Sequence, residues 1–177
     1  MKRLIGVGGV ALAMALTVGT AASASAAPAP CRHSGTEVIA GSTTNLAIID
    51  ANVTVLPVRA HGVVNTKGTI SLSGPSTGTS SFDFRAGKLN VKHTQTSGSS
   101  QPTLNPKTCV YSQSEGGVYT VLGGTGKFHD ATGHGSFRLY FAVKAPRLKN
   151  GQCNTSPSAV PVSGEIKFLA YGPLSVY

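Results

Sequence analysis

The chain has 177 residues, of which 40% are hydrophobic and 12% are charged, and its formal net charge at pH 7 is +9. A positive field of this kind attracts anionic surfaces such as envelope polymers and lipid headgroups. The basic residues are scattered, and no basic motif with interleaved aromatic residues is present, which argues against a nucleic-acid-binding protein. We interpret most of this charge as a contribution to solubility.

The first 26 residues have the pattern of a secretory signal peptide. Two basic residues precede an apolar run at positions 4–18, and small residues follow it. The run is about 15 residues long, whereas a membrane-spanning helix needs roughly 20. We therefore expect cleavage after Ala26, since cleavage after Ala27 would place Pro28 beside the scissile bond. The protein is expected to be secreted and extracellular, with no membrane association after cleavage.

The remainder of the chain is expected to form one domain. Removal of the signal peptide leaves 151 residues with a formal net charge of +7, a length that is typical of a single domain. Residues 27–35 are rich in proline and alanine and show no periodicity. We expect them to be a mobile leader, followed by the domain at residues 36–177.

Apolar residues after the leader alternate with polar residues and show no helical repeat. Phe137, Leu139, Phe141 and Val143 would lie on one face of a strand, which predicts a buried face and a solvated face. Similar alternation occurs at residues 69–73, 88–92 and 165–170. The domain is therefore predicted to be all-β, with about eight to ten strands.

Short connections between the strands favour a barrel over a sandwich. Residues 85–88 join two alternating runs so closely that they predict a hairpin. Few connections are long enough to cross between two sheets. We therefore expect a single antiparallel up-and-down barrel of about eight strands. Its interior would be wide enough for side chains or for one small ligand.

Glycine and proline residues predict where the strands end. Turns are expected where glycines cluster, at residues 115–117, 123–126 and 150–151. Two longer polar loops are expected at residues 96–107 and 145–160. Pro57 interrupts an apolar run and should mark a strand edge, a bulge or a turn, because proline cannot donate a hydrogen bond to a sheet.

Three cysteines in an exported chain predict one disulfide bond and one remaining thiol. In a meander, Cys109 and Cys153 would lie at the same end of the sheet. We therefore predict the pair Cys109–Cys153, which would close a loop of about 45 residues and stabilise the fold by roughly 3–4 kcal/mol. Cys31 would then be free or would pair with a second molecule.

The glycine-rich segment at residues 123–128, GGTGKF, is not a phosphate-binding loop. Such a loop requires a glycine five residues before its Gly-Lys pair and a hydroxyl residue after it, but these positions hold Val121 and Phe128. The glycines instead allow a tight turn. We expect Phe128 to close the end of the barrel beneath this turn.

The same segment carries a resemblance to a known superfamily. GGTGKF is followed by ATGHGSF at residues 131–137 and by a long alternating strand, and residues 118–144 thereby resemble the allene oxide cyclase and dirigent barrels and small exported actinobacterial proteins. The resemblance implies an eight-stranded antiparallel barrel, often oligomeric, that handles hydrophobic small molecules at its mouth. It transfers no catalytic residue, because the matching residues are those that build the turn.

The candidate chemical groups are few. His129, Asp130 and His134 could in principle hold a metal, but their spacing on a glycine-rich turn favours a solvated loop, and we assign no metal and no cofactor. Asp83 is the first carboxylate to inspect, since it lies between two phenylalanines and must point either into a polar cavity or into water. We favour water. No Gly-x-Ser-x-Gly motif indicates a serine hydrolase, and no catalytic residue is assigned.

Three functions remain open, of which the third, inhibitor-like or toxin-like adhesion through the loop at residues 145–160, rests only on the basic cluster at residues 144–149 and the predicted disulfide bond. The first is non-enzymatic binding of a small apolar molecule or an envelope component, such as an anionic polymer, by an exported barrel that could also be an oligomer. The alternative is an isomerase or cyclase acting at the barrel mouth. That alternative requires an acid or an arginine, such as Asp83 or Arg59, with perturbed ionisation inside the barrel. It fails if every acid lies on the outer surface.

Overall fold

The computed structural model of the protein describes residues 31–46, 55–72, 77–99 and 101–177. The predicted signal peptide and its cleavage site at Ala26 and Ala27 lie outside these residues. The described residues form nine β-strands and one 3-10 turn. These are β1 (His33–Thr43), β2 (Val55–His61), β3 (Thr66–Ser71), β4 (Thr77–Phe84), β5 (Gly87–Gly98), β6 (Thr103–Asn105), β7 (Val110–Gly124), the turn Gly126–Phe128, β8 (Thr132–Lys144) and β9 (Ser163–Val176).

Eight of the strands close into an antiparallel barrel. Going round the ring, the order is β1, β2, β3, β4, β5, β7, β8 and β9. The ring closes because β9 pairs with β1 along the whole length of β1. The short strand β6 lies outside the ring and pairs only with the start of β7. Closure leaves no edge strand in the ring, because each of the eight strands pairs with a neighbour on both sides. The predicted all-β, eight-stranded antiparallel barrel is confirmed.

One end of the barrel is filled by side chains and is here called the closed end. It consists of the connections at residues 62–65, 85–86 and 125–131. Phe128 is 1% exposed, and its ring centroid lies 5.5 Å from that of Phe84. Phe128 therefore closes this end, as predicted, and residues 85–88 form the predicted hairpin. The opposite end, which the described connections 101–109 and 145–162 reach, is named the open end only to distinguish it from the closed end.

The predicted turn at residues 115–117 is wrong. Strand β7 runs through these residues, and its ladder with β8 is continuous from Val110–Lys144 to Thr120–His134. Gly117 remains in the strand because the ring of Phe137, directly opposite, occupies the space that a side chain would need. An aromatic residue that covers a glycine on a neighbouring strand is a recognised way of stabilising such a pair.

The predicted loops and leader also differ in their bounds. The loop at 96–107 contains the end of β5 and the whole of β6, and the loop at 145–160 contains a bridge between Arg147 and Cys153. β1 begins at His33, because residues 33–35 already pair with the C-terminal residues of β9. Pro57 lies on a local edge, as predicted, since β2 pairs with β1 only from Arg59 onwards.

Candidate functional site inside the barrel

The side chains that point into the barrel differ between its two halves. On β9, β1, β2 and β3 most of them are buried, including Ile39, Leu56 and Phe168. On β4, β5, β7 and β8 many of the inward side chains remain partly exposed, although they face the same interior. Solvent therefore reaches the interior along these four strands. We call this region the interior site. It comprises Ser80, His93, Gln95, Gln113, Glu115, Tyr119, Phe137, Leu139 and Phe141.

One wall of the interior site is apolar and is formed by β8. Phe137, Leu139, Phe141 and Val143 alternate with outward-facing residues along this strand, and each packs against the hydrophobic core while remaining partly exposed. The predicted inward face of β8 is therefore confirmed. Its partial exposure provides apolar surface that could contact a ligand.

The second wall is polar and is formed by the neighbouring strand β7 and by β5 and β4, which follow it round the ring. Glu115 stands directly opposite Leu139 of the apolar wall, and its Oε1 accepts a 2.6 Å hydrogen bond from Nε2 of Gln113. His93 Nδ1 lies 3.4 Å from the hydroxyl of Ser80, and its ring meets that of Phe137 edge-on at 6.0 Å between centroids. The interior site is thus amphipathic, with hydrogen-bonding groups on one side and hydrocarbon on the other.

Two glycines bring a phenol and a carboxyl group towards each other at the closed-end side of the interior site. Tyr119 of β7 is opposite Gly135 of β8, and Glu37 of β1 is opposite Gly172 of β9. A Cβ at Gly172 would lie 2.6 Å from the Cα of Gly135, so the two glycines are neighbours. Since neither carries a side chain, the inward-pointing Tyr119 lies over Gly135 and is directed towards Glu37.

Glu37 is a buried acid with one unsatisfied oxygen. The residue is 3% exposed, and its Oε2 accepts a 2.8 Å hydrogen bond from the backbone N–H of Val64 in the connection between β2 and β3. Its Oε1 has no hydrogen-bond partner among the described residues. Burial raises the pKa of this carboxyl group, although the backbone N–H groups of Val64 and Val63 and the nearby His61 oppose that rise.

Tyr119 shows the same low-polarity environment. Burial raises the pKa of its phenol to about 12, and the negative charge of Glu37 contributes to the rise. A buried acid with a displaced pKa beside a second titratable group is a frequent property of functional sites. It also occurs where a buried carboxylate anchors a loop, and the Val64 hydrogen bond gives Glu37 that structural role here.

The segment 145–162, here called the strap, lies at the open end. The disulfide bond Cys109–Cys153 fixes its middle, and the N–H of Val162 donates a 2.8 Å hydrogen bond to the Lys144 carbonyl where the strap enters β9. Arg147 of the strap also donates hydrogen bonds to the carbonyl of Lys107, which lies outside the strap, and to that of Gly151 within it. The predicted disulfide pairing is confirmed, and Cys31 is free and exposed.

The strap and the barrel enclose a cleft of about 230 Å³. Tyr111 and Val143 line it from the barrel, opposite each other on β7 and β8 and on the same faces as Gln113 and Phe141. Pro157 and further small residues line it from the strap. The cleft therefore continues the interior site towards the open end.

The sequence singled out Asp83, but Asp83 is not among the carboxylates inside the barrel. Asp83 points outward, is 59% exposed and pairs with Lys88 at 3.1 Å, so the expectation that it faces water is confirmed. Arg59 is also exposed on the outer face. The interior acids in the described part of the chain are Glu37 and Glu115. Glu37 could have been found from its alternation with the apolar Ile39, whereas the adjacent glycines made Glu115 resemble part of a turn.

The histidines of the glycine-rich turn lie on the surface. His129 Nδ1 is 2.9 Å from the carboxylate of Asp130, and both side chains are largely exposed. His134 lies at an exposed position of β8. Within the described ranges, no three His, Cys, Asp or Glu residues are placed to hold a metal ion together.

In the same part of the chain, no helix has the length and apolar character needed to cross a membrane.

Comparisons with protein-family models, with curated proteins and with solved structures found no match to this chain. The closed antiparallel barrel agrees with the fold that the resemblance at residues 118–144 implies.

Proposed function

We propose that the protein binds a small, mostly apolar molecule in the interior site. The observation that carries this proposal is the partly exposed apolar wall of β8, where Leu139 and Phe141 face the barrel interior and are only partly buried. Apolar side chains that line a concave site gain free energy when a ligand displaces water from them. The polar residues on β4, β5 and β7 would orient the ligand.

We further propose that the protein acts outside the cytoplasm as a member of the barrel superfamily that residues 118–144 resemble. The signal-peptide pattern supports secretion, and the Cys109–Cys153 bond is of the kind that persists in oxidising compartments. N-terminal sequencing of protein recovered from the culture medium tests secretion, with alanine 27 as the expected first residue. Recovery with Met1 still attached would contradict it.

Binding can be tested with decanol, a neutral apolar probe, and the protein secreted from the full-length chain. Isothermal titration should give saturable binding with one site per barrel. Leu139→Asn should weaken it about tenfold, because the variant removes roughly the apolar contact of one buried side chain. Leu169→Asn is the matched control, since Leu169 is 38% exposed on the outer face of β9. Absence of binding, or equal effects of the two variants, would contradict the proposal.

A second candidate function, an acid–base isomerase, is favoured by Glu37 and Tyr119. An ionised Glu37 could remove a proton from the carbon next to a ligand carbonyl and return it two carbons further along, while the Tyr119 hydroxyl donates a hydrogen bond to the enolate oxygen. A β,γ-unsaturated ketone is a suitable probe, since its conjugated isomer absorbs in the ultraviolet. Turnover that Glu37→Gln abolishes would support this function, and no turnover would contradict it.

A further inference from the structure

The charges of the protein are divided between its outside and its inside. Of the 15 lysines and arginines, Lys2 and Arg3 lie outside the described residues, and the other 13 are all exposed. Among the described residues, the barrel interior holds two acids, Glu37 and Glu115, and none of these 13 basic residues. A protein with a strongly positive exterior thus carries negative groups in its interior site.

Glu115 is placed to meet a ligand. Its side chain is half-buried on the inner face of β7, beside Leu139 of the apolar wall. Gln113 donates a hydrogen bond to Oε1 and so fixes the orientation of the carboxylate. Among the described residues, the hydrogen-bond partner of the Glu115 carboxylate is the neutral amide of Gln113. The ion pairs in this part of the chain involve other acids. A half-buried carboxylate without a cationic partner interacts strongly with any cation that approaches it.

Glu37 provides a second, independent indication at the far side of the site. Its carboxyl group is buried, points into the barrel and has an oxygen without a hydrogen-bond partner in the described part of the chain. An unsatisfied buried acceptor is costly, and a donor that reached it would recover that cost. Both interior acids therefore favour ligands that donate hydrogen bonds, and both disfavour an anionic head group.

We propose that the interior site selects an apolar molecule that carries a protonated amine. Its hydrocarbon part packs on Leu139 and Phe141, and its ammonium group pairs with Glu115 a few ångströms away across the β7–β8 ladder. The proposal rests on the proposed binding function and specifies its ligand class. It also implies discrimination against fatty acids, whose carboxylate would meet Glu115 and Glu37 within a poorly screened interior.

Three probes with the same ten-carbon chain test this charge preference at neutral pH: decylamine, decanol and decanoate. Isothermal titration should show decylamine binding about tenfold or more tightly than decanol, because a hydrogen bond to a charged group contributes more than a neutral one. Decanoate should bind most weakly. The affinity for decanol tests the proposed function by itself. Loss of decanol binding and loss of the affinity order from amine to alcohol to carboxylate are therefore separate results.

Glu115→Gln should lower the decylamine affinity to about that of decanol and leave decanol binding unchanged. Glu165→Gln is the matched control, since Glu165 lies on the outer face of β9 and pairs with Lys167 at 2.7 Å. Gln113→Met keeps the charge of Glu115 but removes its orienting amide, and should weaken decylamine binding less than Glu115→Gln. Equal affinities for amine and alcohol, a preference for decanoate, or equal effects of the Glu115 and Glu165 variants would overturn the proposal.

Discussion

Tyr119 stands directly opposite Gly135 across the β7–β8 ladder, and its hydroxyl occupies the space that a side chain at position 135 would need. A Cβ at Gly135 would lie 2.6 Å from this hydroxyl and would also meet the backbone carbonyl of Tyr171. The glycine therefore permits both the close approach of β9 and the inward placement of the phenol. This relationship places the phenol near Glu37, whose charge contributes to the raised pKa of Tyr119.

The variant Gly135→Ala should destabilise the protein by about 1–3 kcal/mol, the usual cost of overpacking a filled region. The measurement is the free energy of unfolding in urea. Gly35→Ala is the control, since its Cβ would meet Val63 at 3.4 Å, an ordinary contact. Similar stabilities of the two variants would show that Tyr119 and β9 can move away from position 135 at little cost.

The titration of Tyr119 should be visible in the ultraviolet absorbance of the tyrosines. Since burial and the charge of Glu37 raise its pKa to about 12, one of the five tyrosines should ionise near that pH. Tyr119→Phe should remove this late component, and Glu37→Gln should shift it to lower pH because it removes a negative charge. A late component that persists in Tyr119→Phe would belong to another residue and would contradict the assignment.

Glu37 should make the stability of the protein depend on pH. Because its folded-state pKa is raised above the ordinary 4.5, the folded chain retains this proton more strongly than the unfolded chain does. The resulting stabilisation is fully present below the unfolded pKa and is lost as the pH rises through the folded pKa. The Glu37→Gln variant does not titrate at this position, so its unfolding free energy relative to the wild type should increase as the pH rises from the ordinary value of 4.5 through the raised folded-state pKa.

Parallel curves of unfolding free energy against pH for the wild type and Glu37→Gln would show that the carboxyl group of Glu37 has no displaced pKa. Asp83→Asn provides the matched control, since Asp83 is exposed and paired with Lys88 on the outer face. Its relative stability should not show the same increase with pH.

Loss of the disulfide bond should loosen the strap. Replacement of Cys109 and Cys153 by alanine removes a link between residues 44 positions apart and should lower the unfolding free energy by about 3–4 kcal/mol. Limited proteolysis should then cleave within residues 145–162 before it cleaves the barrel. Cys31→Ser is the control, because Cys31 is exposed and unpaired. Unchanged protease resistance would show that Arg147 and Val162 hold the strap without the bond.

The barrel could be predicted from the sequence because its signals are local. Alternation in β8 identifies an inward face, and residues 85–88 identify a hairpin. The pairing of Cys109 with Cys153 followed from the order of antiparallel strands alone. Each of these features depends on residues that are close in sequence or on a simple meander.

The interior site depends instead on contacts between strands that are distant in sequence. Glu37 and Tyr119 are 82 positions apart in the chain, and they approach only because the ring closes between β9 and β1. Gly116 and Gly117 resembled a turn, since a sequence does not show that Phe137 lies opposite and fills the space. Without that cross-strand contact, Glu115 could not be recognised as an inward residue of a long strand.

Methyl resonances in NMR spectra test most directly whether the barrel interior is the binding site. Titration with decanol should shift the methyl signals of Leu139 and Val143, which point inward, and leave those of Leu169 and Val118 unchanged, since these are exposed on the outer faces of β9 and β7. Shifts confined to the outward-facing residues, or shifts in none of the four, would contradict the account.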